Sequence, residues 1–378
     1  NQNDMKQLNI NICILLFILC SCHHSSQKLD IESVTITAKI VDFKPENNEV
    51  RIIVPKLCIE DKIETIVTDS LGQFTYLFKN NTPSDLRIIS DQAIFSILTH
   101  PGDNIHVEFA NDKSDFWNTI SVSGDRSTEN QLIINFQEYF SSNSIDRILI
   151  EEARDSLSET FFVLFMDSLQ TESMRLCDMF IKEHHPSIEI QNWIRWNASK
   201  NYYHYMYWYP IYRNDIEIGN DFYSFQEKLL PINKDMIAAT YSLNLFIPEY
   251  FEGSIKPKVM DENSKIFDHF EVNDLRIDSI FIDGIINHSK GEFTKELVLS
   301  YWLSSKINKG NLKPYEKFIS SREHEISSLF LKINLDELYC STKNKIENAV
   351  KSIVLADTNK ELSIKNILDT IYKTNRNR

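Results

Sequence analysis

Few residues in this 378-residue chain have the types and spacing that chemistry demands, and the densest set lies near its start: Cys20, Cys22, His23 and His24. Thiolate and imidazole bind soft and borderline metals, and two neighbouring thiols can exchange as a redox couple. Either use needs a fixed geometry, which a polar tract trailing an apolar run does not offer, so no metal is expected there. Cys58, Cys177 and Cys340 lie far apart in sequence and never reach the Cys-x-x-Cys spacing of a dithiol centre. Isolated thiols of this kind are ordinarily small buried apolar groups. The histidines lack the His-Glu-x-x-His spacing of a zinc protease, and Glu183-His184-His185 before Pro186 read as a helix end, where imidazole complements the dipole. No Gly-x-Ser-x-Gly elbow supplies a serine nucleophile, and no Gly-rich phosphate loop occurs among only eight glycines. With 54 acidic residues, the presence of carboxylate pairs is uninformative. No catalytic residue and no cofactor are expected, and the chain reads as a non-enzyme by itself.

The second concentration is aromatic: Asn-Tyr-Tyr-His-Tyr-Met-Tyr-Trp-Tyr-Pro over residues 201–210, preceded by Trp193 and Trp196. Helical spacing places Tyr202, Tyr205, Met206 and Tyr209 on one face and Tyr203, Tyr207 and Trp208 elsewhere. Two readings stay open. Aromatics bury large areas, so the run could fill the space between neighbouring helices. Alternatively, Trp196, Tyr202, Tyr205 and Tyr209 form a ligand surface that stacks a sugar or peptide ring, since tyrosine joins a flat apolar body to a polar tip.

Ahead of the first cysteine pair, Lys6 supplies a positive charge and residues 10–19 an apolar run too short to span a membrane. Residues 5–22 therefore read as a signal peptide. Its end, Leu19-Cys20-Ser21-Cys22, resembles the lipobox of bacterial lipoproteins, which implies Cys22 as the lipid attachment site. Two or more acyl chains anchor stably where one does so only marginally. The membrane is then a partner through the lipid anchor, and the chain is placed in the cell envelope facing the periplasm.

Hydrophobic residues at 42% and charged residues at 25% are ordinary for a globular protein, and no other apolar stretch approaches the length of a span. A net charge of −14 excludes a nucleic-acid partner, which needs a concentrated basic surface. Envelope proteins remain the partner class, and composition does not fix the oligomeric state.

The elements that must position these residues fall into an α+β order. Period-two alternation begins at Ser33 with Val34, Ile36, Ala38 and Ile40 on one face, and strand-like runs follow at residues 50–54, 63–68, 74–78, 86–89, 94–98, 105–109 and 119–122. Turns at Asp69-Ser70-Leu71-Gly72 and His100-Pro101-Gly102-Asp103 separate them. An antiparallel β-sandwich is expected over residues 30–124. From Leu132 the spacing becomes helical, giving a long stretch to His184, a break at Pro186, and further helices broken near Pro210, Pro231, Pro248 and Gly310, so that residues 125–349 form a mostly helical domain. Residues 350–378 read as a short terminal β-hairpin, with Ser352–Leu355 as its first strand.

Three segments in this order resemble the extracytoplasmic TlpA-like thiol-disulfide oxidoreductases. Asp69-Ser70-Leu71-Gly72-Gln73-Phe74 is similar to a D-x-x-G-x-F hairpin, and Pro101-Gly102-Asp103-Asn104-Ile105-His106-Val107 to a P-G-D-x-I-x-V turn followed by Val122, Gly124 and Asn130. Residues 353–368 are similar to the lead-in before the strand that bears Cys-x-x-Cys in that family, although Asn359-Lys360-Glu361 lacks the turn glycine. The resemblance implies a β-rich domain, a helical region and the start of a truncated thioredoxin-like domain, with no catalytic pair to carry over. Two functions follow as expectations: a membrane-anchored, non-catalytic accessory or scaffold region of such a protein, or a ligand- or partner-binding lipoprotein that uses the aromatic helical surface.

Overall fold

The computed structural model describes residues 32–91, 93–111, 116–267 and 275–356. The alternating runs become β1 (Glu32–Ile40), β2 (Glu49–Val54), β3 (Lys62–Val67), β4 (Gln73–Asn80), β5 (Ser84–Ser90), β6 (Ala93–Thr99), β7 (Asn104–Phe109) and β8 (Ser121–Gly124). Thr119 closes a helical turn, Phe116–Thr119, rather than opening the last strand. The strands form two four-stranded sheets, ordered β4-β1-β7-β8 and β3-β2-β5-β6. Inward residues such as Val34, Ile36, Val50, Ile52, Phe78, Ile88, Ile105 and Phe109 fill the space between them, as period-two patterning requires. One pairing departs from the antiparallel expectation: after each excursion to the second sheet the chain returns beside β1, first as β4, which runs antiparallel to it, and then on its other side as β7, which runs parallel. Gly72 and Gly102 take positive φ in their turns, and Asp103 accepts from the His100 amide at 2.6 Å.

Helices follow: α1 (Ser127–Asn143), α2 (Arg147–Ser156), α3 (Glu159–His184), α4 (Ile188–Tyr212), α5 (Thr240–Tyr250), α6 (Lys256–Glu262), α7 (Leu275–His288), α8 (Glu292–Asn308), α9 (Lys313–Arg322) and α10 (Leu329–Ala356). The stretch expected to run unbroken to His184 is divided at residues 144–146 and 157–158, with Asp146 capping α2 through the Ile148 amide. Pro186 and Gly310 do end helices, whereas Pro210 and Pro248 lie inside the last turns of α4 and α5. Near a C-terminus a missing N–H disturbs little of the helix beyond it, and Pro248 is followed by a π-turn, Phe251–Ile255. Ser352–Leu355, expected as a strand, is the end of α10. The β-branched run misled, while Ile346, Ala349, Val350 and Ile353 keep helical spacing. The rest of the expected hairpin lies outside the described residues.

Three of the joints between the sandwich and the helices, among the described residues, fix the helical core. Along β6, α1 acts as a neighbouring strand would: Asn130 accepts from the Leu98 amide (2.6 Å) and donates to its carbonyl (3.0 Å), and Gln137 repeats this with Ser96 at 2.9 Å in both directions. An edge strand's unpaired groups are thereby satisfied by two amides two helical turns apart. The loop after β2 inserts Leu57 and Cys58 into the helical core, where the Cys58 amide donates to Asn244 Oδ1 and its carbonyl accepts from Ser304 Oγ. Third, Asp85 of β5 accepts from Trp193 Nε1 at 3.1 Å and from the Tyr241 amide at 2.8 Å.

Candidate functional site

α4 carries the aromatic run, and it is wrapped on most sides. Ser187 caps it by accepting from the Ile190 amide, and Ala198 and Ser199 let α3 approach its middle. Of the residues expected to form a ligand surface, Trp196 is fully buried, with its indole N–H on Met236 Sδ and its ring against Tyr203 and Phe246. Tyr209 is sandwiched between Phe162 (4.2 Å) and Phe222 (5.5 Å) and donates to the Leu157 carbonyl. Tyr205 is buried, and its hydroxyl sits between Arg147 Nε and Glu151 Oε1. Burial raises the phenol pKa of all three tyrosines, Tyr202 included, and for Tyr202 the carboxylate of Asp167, which accepts its O–H hydrogen bond at 2.8 Å, raises it further. These rings are thus core, held by internal partners, and Tyr202 also borders a cleft of about 300 Å³ between α1, α3 and α4. Cys22, the expected lipid site, lies outside the described residues, as does the rest of the Cys20 to His24 cluster.

The outward face of α4 is different. His204, Trp208 and Tyr212 recur every fourth residue and form a ladder, with ring centres 5.9 Å apart for the first pair and 5.8 Å for the second. Arg154 of α2 lies 4.1 Å over the Tyr212 ring as a cation–π cap, its charge balanced by Asp155. Behind the ladder, Glu249 of α5 takes the Trp208 indole N–H at 2.9 Å and lies 2.6 Å from His204 Nδ1. One largely buried carboxylate therefore fixes the orientation of two surface rings. Tyr212 and its neighbour Ile211 are more than half exposed, at 51% and 58%. A surface of rigid, amphipathic rings loses little side-chain entropy when covered, which is what recognition surfaces use. The i, i+4 spacing of His204, Trp208 and Tyr212 was available in the sequence, but Glu249 was not, since only packing brings α5 behind α4.

The two buried thiols, Cys58 and Cys177, behave as inert groups. Cys58 Sγ is within 3.2 Å of the Leu297 carbonyl and burial pushes its pKa well up; burial likewise pushes Cys177 up to about 12. A protonated buried thiol is a poor nucleophile. Among the described residues, no group of three or more His, Cys, Asp or Glu side chains could hold a metal ion, and no helix is long and apolar enough to cross a membrane. Compared with protein-family models, with curated proteins and with solved structures, the chain matches none.

Proposed function

We propose that this chain is a lipid-anchored envelope protein that binds a partner and does not catalyse a reaction. In this reading Cys22 carries the lipid, and the outward ladder of α4 is the recognition surface. The observation that carries it is the pair of rings, His204 and Trp208, locked by the shared carboxylate of Glu249 while Tyr212 and Ile211 stand exposed beside them. Apolar residues exposed as one contiguous patch, unlike residues scattered singly, mark an interaction surface. The test is photo-crosslinking in envelope preparations from a reactive side chain at position 212, with position 260 on α6 as the exposed control. A discrete adduct from 212, lost in Trp208→Ala, is expected; equal labelling from both positions refutes the surface. Separately, Cys22→Ser should abolish acyl-chain labelling and release the chain from membranes.

A second reading is the accessory region of a TlpA-like oxidoreductase, supported by the resemblance that Gly72, Gly102 and Asn130 carry, with the two glycines at positive φ and the Asn130 side chain on Leu98 of β6. It makes the partner a thiol-disulfide protein. Capture of such a protein in the crosslinked adduct distinguishes it from the general case.

A further inference from the structure

Helices cover only part of the outward face of the sheet β3-β2-β5-β6. At the covered end Asp85 and Leu98 lie opposite each other, and α1, α4 and the start of α5 bond to them. The helical layer reaches Arg87, whose guanidinium sits 4.4 Å over the Tyr241 ring. From there the register sets two rows of outward side chains, Ile63, Ile53 and Arg87 in one and Arg51, Ile89 and Ile94 in the next. Ile63 and Ile94 are 60% and 46% exposed, and Val67, further along β3, is 62% exposed. Contiguous β-branched residues on a sheet face without a second layer mark an interaction surface.

Charge selects what covers it. In a chain of net charge −14 this face presents two arginines, and among the described residues neither Arg51 nor Arg87 has a carboxylate partner. Lys200 of α4 adds a third cation, 5.8 Å from the Tyr241 ring. Asp85 acts on Lys200, but its two oxygens are spent on Trp193 Nε1 and the Tyr241 amide. Glu49 and Asp91 stand at the rim, opposite Val67 and in the turn from β5 to β6. The half-buried Arg87 therefore offers a planar fork of donors that a partner's carboxylate can meet with two bonds. An anionic membrane would face the acidic remainder of the chain as well, whereas a peptide brings its carboxylates to the arginines alone.

The edge of the sheet selects the occupant's shape. β3 turns Lys62 and Glu64 inward, paired at 2.8 Å, with Lys62 over the Tyr76 ring of the other sheet. Inward charges of this kind oppose the addition of a further strand. A helix laid on the face instead continues the layer that α4 and α5 begin.

We propose that the bare face of this sheet docks an acidic amphipathic helix of a partner protein, its apolar stripe on Ile53, Ile63 and Ile94 and its carboxylates on Arg51 and Arg87. The face shares no residue with the ladder of His204, Trp208 and Tyr212, so it stands whether or not that ladder binds a partner.

Fluorescence anisotropy of a labelled peptide titrated with the full chain tests the assignment. The probe is about 15 residues long, with leucine along one helical face and glutamate on both flanks. It should bind saturably, about tenfold or more tighter than the same peptide with lysine for every glutamate, or than a scramble that has no apolar face. Arg51→Gln and Ile63→Ser change exposed side chains, and each should weaken binding by about tenfold, with thermal unfolding as the check on folding. Trp208→Ala should leave binding unchanged. If one sheet variant does not fold, the other and the three-peptide series still decide. Absence of saturable binding by the acidic peptide, equal binding of the lysine peptide or the scramble, or full binding by a folded Arg51→Gln or Ile63→Ser chain overturns the proposal. So does flotation with phosphatidylglycerol vesicles, or self-association in sedimentation, that is lost in Arg51→Gln, since either puts a different occupant on the face.

Discussion

Asp85→Asn should change how stability depends on pH. Asp85 is 2% exposed at the joint between β5, α4 and the start of α5, and burial raises its carboxyl from 3.8 to about 7 against the two donors that hold it, the Tyr241 amide and the Trp193 indole. The other charge acting on it is Lys200 of α4, 5.8 Å from the Tyr241 ring, which Arg87 of β5 covers at 4.4 Å. A carboxyl with a higher pKa in the folded state binds its proton more tightly there than in the unfolded chain. The stability it contributes is therefore complete below the unfolded value and is lost as pH rises toward 7. Each pKa unit is worth about 1.4 kcal/mol, so the whole loss is about 4 kcal/mol, and the part between pH 5 and pH 8 about 3 kcal/mol. Asparagine keeps the shape and an acceptor for the Tyr241 amide but has no proton to lose. Urea unfolding of both chains at pH 5 and pH 8 cancels the titrating groups that are not coupled to Asp85, as Lys200 is. The stability difference, native chain minus Asp85→Asn, should fall by about 3 kcal/mol between those pH values. Curves that stay parallel to within about 0.5 kcal/mol would show that Asp85 titrates alike in both states, and the account of this joint would be wrong.

Lys200 gives the opposite sign: burial, then Arg87, lowers its ammonium to about 8, so stability should rise between pH 8 and 10, and Lys200→Met should flatten that rise in urea titrations. Trp196→Ala removes a fully buried ring and should cost about 3–5 kcal/mol, whereas Trp208→Ala on the outer ladder should cost about 1 kcal/mol or less while losing the crosslink; equal costs would place both rings in the core. Gly124→Ala should destabilise by about 1–3 kcal/mol, because a Cβ at φ +84 would meet the Asn104 carbonyl oxygen at 2.4 Å, as thermal unfolding can register. Alkylation followed by peptide mapping should modify exposed Cys340 rapidly in the native chain and Cys58 and Cys177 only after unfolding; rapid native reaction of Cys58 would contradict its seat in the helical core.

Sequence by itself determined the α+β order, because a period of two and a period near four are written directly in which residues are apolar. The eight strands among the described residues follow from that pattern, as do the turns at Gly72 and Gly102, where positive φ is cheap only for glycine. It did not determine the parallel partnership of β1 with β7, since strand direction across a sandwich depends on where the chain returns. Nor did it separate the two faces of α4: Trp196, Tyr205 and Tyr209 look as sticky as Trp208 and Tyr212, and only the arrival of α3, α5 and the 3-10 turn around Phe222 made the first set core and left the second exposed. The same holds for Glu249 and Asp85. A polar residue acquires a role from what surrounds it, and those surroundings are assembled by contacts between residues distant in the chain.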